Sequence, residues 1–246
     1  MQRVIVGTSG WNYDHWEGVF YPEGLARSRR LEHYCLAFNS VEVNSTFYRT
    51  MSSSTFDGWR RRTPEGFVWA VKANRFMTHI KRLRGVRDPL DRFMQSLAPL
   101  GSKLGPVLFQ LPPTLSFDRA LALEFLSLRA EGSLWAVEAR HPSWATDEAL
   151  ACLEEKGAAW CISDTAGKYP FRVALTAPFS YIRLHGSIRL YASPYGREEL
   201  EQWAERIRAL AVDTYVYFDN DAMGYAPANA LSLKTMLGSQ RGGFAP

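Results

Sequence analysis

Residues 135–140 read Trp-Ala-Val-Glu-Ala-Arg, a short apolar run that ends in an acid and a base. Successive side chains of a strand point to opposite faces, so Glu138 and Arg140 share a face. The same arrangement, an apolar run closed by polar residues, recurs at 41–44, 68–72, 107–110, 160–164 and 181–185. Polar groups at the carboxyl ends of parallel strands form the functional site of a β/α barrel. The repeat therefore predicts where the chemistry of this chain is located.

Segments with helical spacing of apolar residues separate the strand-like runs. Two clear stripes are Leu90, Phe93 and Leu97, and Leu200, Trp203 and Ile207. Alternating strands and helices imply parallel strands joined by right-handed crossovers. Repeated through the 246 residues, the alternation predicts one TIM-type (β/α)8 barrel domain over residues 1–246. The segment between Asp164 and Tyr181 has no helical stripe, so we expect helix six to be reduced.

A doubly wound open sheet is the competing α/β architecture. It requires a glycine-rich phosphate turn that leads from an early strand into a helix. Residues 7–10, Gly-Thr-Ser-Gly, resemble such a turn, but Trp11 follows and no amphipathic helix begins there. The barrel is therefore the favoured architecture.

Composition indicates a globular protein with a real core. Of its residues 46% are hydrophobic and 22% are charged, and the net charge of +4 slightly favours an anionic ligand without indicating nucleic acid. The three cysteines, Cys35, Cys152 and Cys161, lack the spacing of a metal site or a disulfide framework. No signal peptide precedes the first strand-like run, and no apolar run is long enough to span a membrane. We therefore expect a cytoplasmic protein with no membrane partner.

Six motifs occur in order along essentially the whole chain. They are GTSGWNYDHW at 7–16, EVNSTFYR at 42–49, QLPP at 110–113, EARHPSW at 138–144, YIRLHG at 181–186 and YVYFDND at 215–221. Together they resemble the domain of unknown function 72 family, the YecE-like proteins. That resemblance implies a β/α barrel, but no substrate and no catalytic residues, because the family's activity is unestablished. Similar proteins often have Asn where this chain has Asp219, which argues against a charge-dependent role at that position.

Carboxylates and bases both end the predicted strands. Paired carboxylates in a half-buried pocket can have their pKa values driven apart, which yields one acid and one base, as in glycosidic cleavage. The same groups can instead form buried ion pairs with the neighbouring cations. The sequence leaves both interpretations open.

The candidate roles follow from residue type. Glu42 or Glu138 would be the general acid or base, with His185 and Lys72 as alternatives for proton transfer. The candidates for binding substrate are Arg140 and Arg183 for an anion, Asn44, Gln110 and Asn220 for neutral oxygens, Asp164 at the end of strand six, and Trp11 and Tyr48 as pocket walls. The hypothesis is an enzyme, a hydrolase or a lyase, that acts on a phosphorylated, carboxylated or sugar-like small molecule.

Two alternatives come from other functional classes. The basic segment 79–87 could contact phosphates, which would suit a nucleic-acid-binding or phosphoester-processing protein. The barrel could also be a non-catalytic ligand-binding scaffold. No cofactor is predicted. A divalent metal held by Glu42, Glu138, Asp164 and His185 is a weaker alternative, since no HxH or HExxH spacing is present. Nothing in the sequence indicates an oligomeric state.

Overall fold

The computed structural model describes residues 2–238 and contains eight parallel strands in one sheet. The strands are β1 (Val4–Thr8), β2 (Ser40–Val43), β3 (Val68–Lys72), β4 (Leu104–Leu111), β5 (Trp135–Ala139), β6 (Ala159–Asp164), β7 (Phe179–Leu184) and β8 (Asp213–Phe218). Their order, β1-β8-β7-β6-β5-β4-β3-β2, runs around a nearly closed barrel. The expected TIM-type barrel is confirmed.

Helices alternate with the strands around the outside. They are α1 (Arg30–Ala37), α2 (Ser45–Tyr48), α3 (Ser53–Arg62), α4 (Arg87–Leu97), α5 (Arg119–Leu126), α6 (Asp147–Glu155), α7 (Arg197–Leu210) and α8 (Tyr225–Gly238). A π-helical turn, Phe76–Ile80, follows β3. Within the described residues no helix lies between β6 and β7, so the expected reduction of helix six is confirmed. No helix within residues 2–238 combines the length and hydropathy that a membrane span requires.

The barrel closes between β1 and β2 through side chains as well as backbone. A single parallel bridge joins Ser9 to Glu42 there. Below it the hydroxyl of Tyr34, from α1, accepts from the backbone N–H of Thr8 at 3.0 Å and donates to the carbonyl of Ser40 at 2.9 Å. A Cβ on Gly7 would lie 2.3 Å from that same carbonyl oxygen, so only glycine allows this approach. Tyr34 thus replaces part of the missing ladder.

Apolar side chains fill both sides of the sheet. The larger cluster lies between the strands and the helices and includes Trp69, Phe109 and Trp160. A smaller cluster, which includes Leu108 and Tyr181, comes from alternate strand positions and fills the barrel interior. Polar side chains follow these interior residues two positions later, so they lie at the carboxyl-end mouth of the barrel.

Candidate functional site

Arg183, from β7, is the centre of a buried ion cluster at the barrel mouth. Its Nε and Nη2 donate to Oε2 and Oε1 of Glu42 at 2.9 and 2.7 Å. Nη1 donates to Glu138 Oε2 at 2.6 Å, and Nη2 also donates to Asp219 Oδ2 at 3.0 Å. The guanidinium has a fixed fork of five N–H donors, which suits it to several carboxylates at once. One cation therefore binds three acids from three other strand ends.

Glu42 receives further donors from the barrel wall. Ser9 Oγ donates to Oε1 and the Tyr181 hydroxyl donates to Oε2, each at 2.7 Å. Burial, followed by the nearby charge of Glu42, raises the pKa of Tyr181 well above its usual value, so the phenol stays protonated as a donor. Four hydrogen bonds thus fix this carboxylate in one position.

Glu138, from β5, is held in its charged form. Burial alone would raise the pKa of this carboxyl group, but the charges of Arg183, His185 and Arg140 outweigh burial and keep its pKa well below the usual range. Burial would also raise the pKa of Asp219, but the charge of Arg183 and the other nearby cations outweighs burial, and the pKa of Asp219 is lowered. Neither acid can donate a proton near neutral pH. The expected pairing of a protonated and an ionised carboxylate is not supported at Glu138.

Lys72, from β3, is a cation of the mouth that forms no ion pair with a carboxylate of the described residues. Its side chain is buried, at 8% exposure, and Nζ lies 4.3 Å from the ring centre of Phe47. Among residues 2–238, Nζ has neither a hydrogen-bond acceptor nor an ion-pair partner. Burial and the charge of Arg183 lower the pKa of Lys72 to about 8. A substantial fraction of this amine is therefore neutral at slightly alkaline pH.

Arg140 and two tyrosines form the more exposed side of the mouth. Arg140 Nη2 donates to the Tyr191 hydroxyl at 2.9 Å, and its guanidinium lies 4.7 Å from the ring centre of Tyr169. Its Nε makes only a long contact, 3.3 Å, with Glu138 Oε1. The side chain keeps 15% exposure, in contrast to the fully enclosed Arg183. Arg140 is therefore the guanidinium that a ligand can reach.

His185 and Gln110 complete the inner layer. His185 Nδ1 lies 3.0 Å from Asp219 Oδ2, and Nε2 lies 3.3 Å from Arg183 Nη1. Gln110 pairs in register with Glu138 and is buried beside it. The structure therefore brings together Glu42, Lys72, Gln110, Glu138, Arg140, Arg183 and His185.

Asp164 and Asn220 lie outside this cluster. On β6 the interior positions are Cys161 and Ser163, so Asp164 points outward, where it accepts from the Tyr195 hydroxyl at 3.0 Å. Asn220 is buried on the outer side, and its amide nitrogen donates to Ser193 O at 3.0 Å and Asn229 Oδ1 at 2.9 Å. Both side chains therefore lie one strand position away from the residues that face the barrel interior, so the structure does not bring them together with the ion cluster.

Asn44 and Trp11 lie in a neighbouring cavity of about 440 Å³ between the loops after β1 and β2. Arg49 and Tyr13 also line it. Tyr48 is 73% exposed at the end of α2, with its ring against Phe47. Within residues 2–238, none of these three candidates forms a hydrogen bond with the ion cluster, and the structure does not bring them together with it.

Sequence reasoning missed several residues of the site. Asp219, Ser9 and Tyr181 bind Arg183 or Glu42 directly. Alternation could have indicated Asp219, because it follows the interior residue Tyr217 by two positions, and Tyr181 precedes Arg183 by two. His79 was treated as part of a basic loop, but its ring packs on Phe47 beside Lys72.

Metal binding has little geometric support in the described part of the chain. Between residues 2 and 238, no group of three or more His, Cys, Asp or Glu side chains is arranged to hold a metal ion. The acids of the mouth instead converge on the guanidinium of Arg183.

Similarity to known proteins extends over the whole chain. A DUF72 family protein of known crystal structure from Thermotoga maritima superposes with a TM-score of 0.86, with 32% sequence identity and coverage of 96% of this chain and 99% of its own. The UPF0759 protein YunF of Bacillus subtilis is 26% identical over 99% of this chain and 98% of its own. The UPF0759 protein YecE of Escherichia coli is 28% identical over 57% of this chain and 50% of its own. The family model described as "Protein of unknown function DUF72" matches residues 5–246, and the chain belongs to this family.

Proposed function

We propose that this protein is an enzyme that binds a small anionic molecule at the carboxyl end of the barrel, with Lys72 as its proton-transfer group. One observation supports the proposal above the others. Each carboxylate of the ion cluster is bonded to Arg183, whereas the ammonium of Lys72 has no anionic partner among residues 2–238. A buried cation without a counter-ion favours a ligand that supplies one.

Lys72 is better suited to proton transfer than the carboxylates. A general base works best when its pKa is close to the operating pH. The pKa of Lys72, lowered by burial and by Arg183 to about 8, meets that condition. Glu138 and Asp219 are held ionised by their environment and would serve to position Arg183. The reaction proposed is therefore proton transfer by Lys72. In a lyase the neutral amine would take a proton from the bound anion, and in a hydrolase it would take one from the attacking water and return it to the leaving group.

Arg140, which follows β5, supports the proposal as a second cation of the mouth. It is partly exposed and makes only a long contact to Glu138, so its donors are available to a carboxylate or phosphate. Arg183 is the less suitable anion contact, because all three of its nitrogens are already bonded inside the barrel. We therefore assign the anion-binding role that the sequence predicts for Arg183 to Arg140 and Lys72 instead.

Calorimetric titration with inorganic phosphate tests the proposal. We expect saturable binding that weakens by more than about tenfold in Arg140→Met and in Lys72→Met. Arg197→Met is the matched control, because Arg197 lies on the outer helix α7 and its one ion pair within residues 2–238 is with Glu201. Equal affinity in all four proteins, or no binding of any anion by the native protein, would contradict the proposal.

A phosphate-bearing macromolecule is the second candidate. Lys81, Arg84 and Arg87 are exposed, and none of them forms an ion pair within residues 2–238. Exposed cations without counter-ions are what a nucleic-acid backbone contacts. The test is retention of a single-stranded oligonucleotide at increasing salt. Binding that weakens with salt and is lost in Lys81→Glu/Arg84→Glu would favour this candidate over the small-molecule enzyme.

A further inference from the structure

We infer that Lys72 forms a Schiff base with the carbonyl group of its ligand, so that the ligand is an aldehyde or ketone carrying a carboxylate or a phosphate. The inference rests on the proposed function and narrows the ligand class for the same site. It depends on three features of Lys72: its position, its lack of a partner and the neighbouring neutral histidine.

Position comes first. Lys72 ends β3 at the mouth of the barrel, and its ammonium lies 4.3 Å from the ring centre of Phe47. The residue is 8% exposed, so it is buried but not completely sealed from solvent. An imine is protected from hydrolysis when bulk water is kept away from it. The aromatic face beneath Nζ helps to provide that environment.

The lack of a partner is the second feature. A lysine acts as a nucleophile through the lone pair of its neutral amine, and an ion pair with a carboxylate would keep it protonated. Three carboxylates lie close enough to affect Lys72 electrostatically, but Arg183 binds all of them. Burial and the same guanidinium then favour the uncharged amine. Desolvation beside another cation is the recognised way to activate a Schiff-base lysine.

The chemistry of the step is balanced without a co-reactant. Nζ attacks the carbonyl carbon, a C–N bond forms, and one N–H proton moves to the carbonyl oxygen to give a carbinolamine. The C–O bond then breaks, a C=N bond forms, and the second N–H proton leaves with the hydroxyl group as water. Amine and carbonyl compound are thereby converted into imine and water, with no change in oxidation state.

His79 contacts the same aromatic ring as Lys72. Its ring packs edge-on against Phe47 with centres 5.0 Å apart, on the same residue that Lys72 covers. Nδ1 is hydrogen-bonded to Thr78 Oγ1 at 2.9 Å, and Nε2 has no partner among residues 2–238. Burial, with the charges of Lys72 and Arg140, lowers the pKa of His79 to about 4. The imidazole is therefore neutral at neutral pH, so it adds no positive charge beside the amine of Lys72.

Arg140 accounts for the acidic group of the ligand. Since Lys72 is consumed as the nucleophile, a second accessible cation is needed to balance the charge of the ligand. Arg140 has that exposure and is oriented by the Tyr191 hydroxyl. A neutral carbonyl compound would lack this contact, so we expect it to react poorly.

Reductive trapping tests the inference on the native full-length protein. The protein is incubated with pyruvate or with dihydroxyacetone phosphate, reduced with sodium borohydride, digested and analysed by mass spectrometry. We expect a stable adduct on Lys72 with at least one of the two probes. The exposed Lys81 is the internal control in the same digest, and acetone is the uncharged control probe; neither Lys81 nor acetone should give a comparable adduct.

Variants separate binding from bond formation. Lys72→Arg keeps the positive charge, so it should still bind the probe in calorimetry but give no adduct. Arg140→Met should lower the adduct yield by more than about tenfold when the probe is limiting. At saturating probe concentration the yield of this variant should return to that of the native protein.

The outcomes distinguish this inference from the proposed function. Calorimetric binding of either probe without a reducible adduct on Lys72 would overturn the Schiff base and leave the anion-binding enzyme standing. An adduct equally distributed between Lys72 and Lys81 would also overturn it. If pyruvate, dihydroxyacetone phosphate and inorganic phosphate all fail to bind, both proposals are wrong.

Discussion

Arg183 binds Glu42 with two parallel hydrogen bonds, from Nε to Oε2 at 2.9 Å and from Nη2 to Oε1 at 2.7 Å. Both groups are removed from water, so each depends on the other to offset its desolvation. The pair closes the floor of the mouth and fixes the positions of Glu138 and Asp219. Lys72 and Arg140, to which the proposed chemistry is attributed, are the mouth cations that this pair leaves available.

Removal of the central cation should destabilise the fold strongly. We expect Arg183→Met to lower the free energy of unfolding by about 3–5 kcal/mol, because buried carboxylates are left without a counter-charge. Equilibrium urea unfolding measures this. The double variant Glu42→Gln/Arg183→Met should recover part of the loss, and the surface variant Arg197→Met should leave stability nearly unchanged. A loss as small as that of the surface control would show that the cluster is dispensable.

Stability should fall in acid because of Glu138. Its pKa in the folded protein is lowered, by Arg183 and the other cations against the effect of burial, relative to the usual value of about 4.3. The stabilisation is therefore complete above the usual value and is lost as the pH falls through the lower folded value. Urea unfolding between neutral pH and acid should show this slope, and Glu138→Gln should flatten it. Glu205→Gln, on an exposed face of α7, should leave the slope unchanged.

Lys72 should reduce stability, the opposite of a structural residue. Its folded pKa of about 8 lies below the usual value of about 10.4, so at neutral pH the fold holds a charge that it disfavours. We expect Lys72→Met to raise the free energy of unfolding by about 1–3 kcal/mol at pH 7. As the pH rises from about 8 towards about 10.4, the native amine loses its charge and the difference should close. Lys81→Met should show no such pH-dependent gain, and destabilisation by Lys72→Met at pH 7 would refute the prediction.

The hydroxyl group of Tyr34, as distinct from its ring, should contribute to closure of the barrel. We expect Tyr34→Phe to cost about 1–3 kcal/mol, because the buried N–H of Thr8 and the carbonyl of Ser40 lose their shared partner while the ring remains. Urea unfolding gives the magnitude, and amide hydrogen exchange at Thr8 should accelerate. Tyr48→Phe removes an exposed hydroxyl and is the matched control. An unchanged exchange rate at Thr8 would mean that the backbone of β1 and β2 closes the barrel unaided.

The sequence predicts the fold well because periodicity alone determines it. Alternating apolar runs set the strands to within a few residues, and the absence of a stripe after Asp164 matches the missing helix between β6 and β7. The mouth is also well placed, since Glu138 and Arg140, or Arg183 and His185, share a face by simple alternation.

Adjacent polar residues explain what the sequence could not decide. Ser163 and Asp164 both end β6, and Asp219 and Asn220 both follow β8, but only one of each pair can face the interior. The pairing of Arg183 was equally hidden, because Glu42 lies 141 residues away and meets it only across the closed barrel. The alternation of residues along a strand predicts which face of the sheet a side chain lies on. The residue that it binds depends on the tertiary structure.

The ion pair between Glu42 and Arg183 has a consequence for biosynthesis. During synthesis, β1 and β2 emerge long before β7, so Glu42 must wait without Arg183 while most of the chain is made. Any compact intermediate formed early would have to leave that acid hydrated, which disfavours premature collapse of the amino-terminal strands. The ion pair between Glu42 and Arg183 can therefore form only after β7 has been synthesised, when about three quarters of the chain is complete.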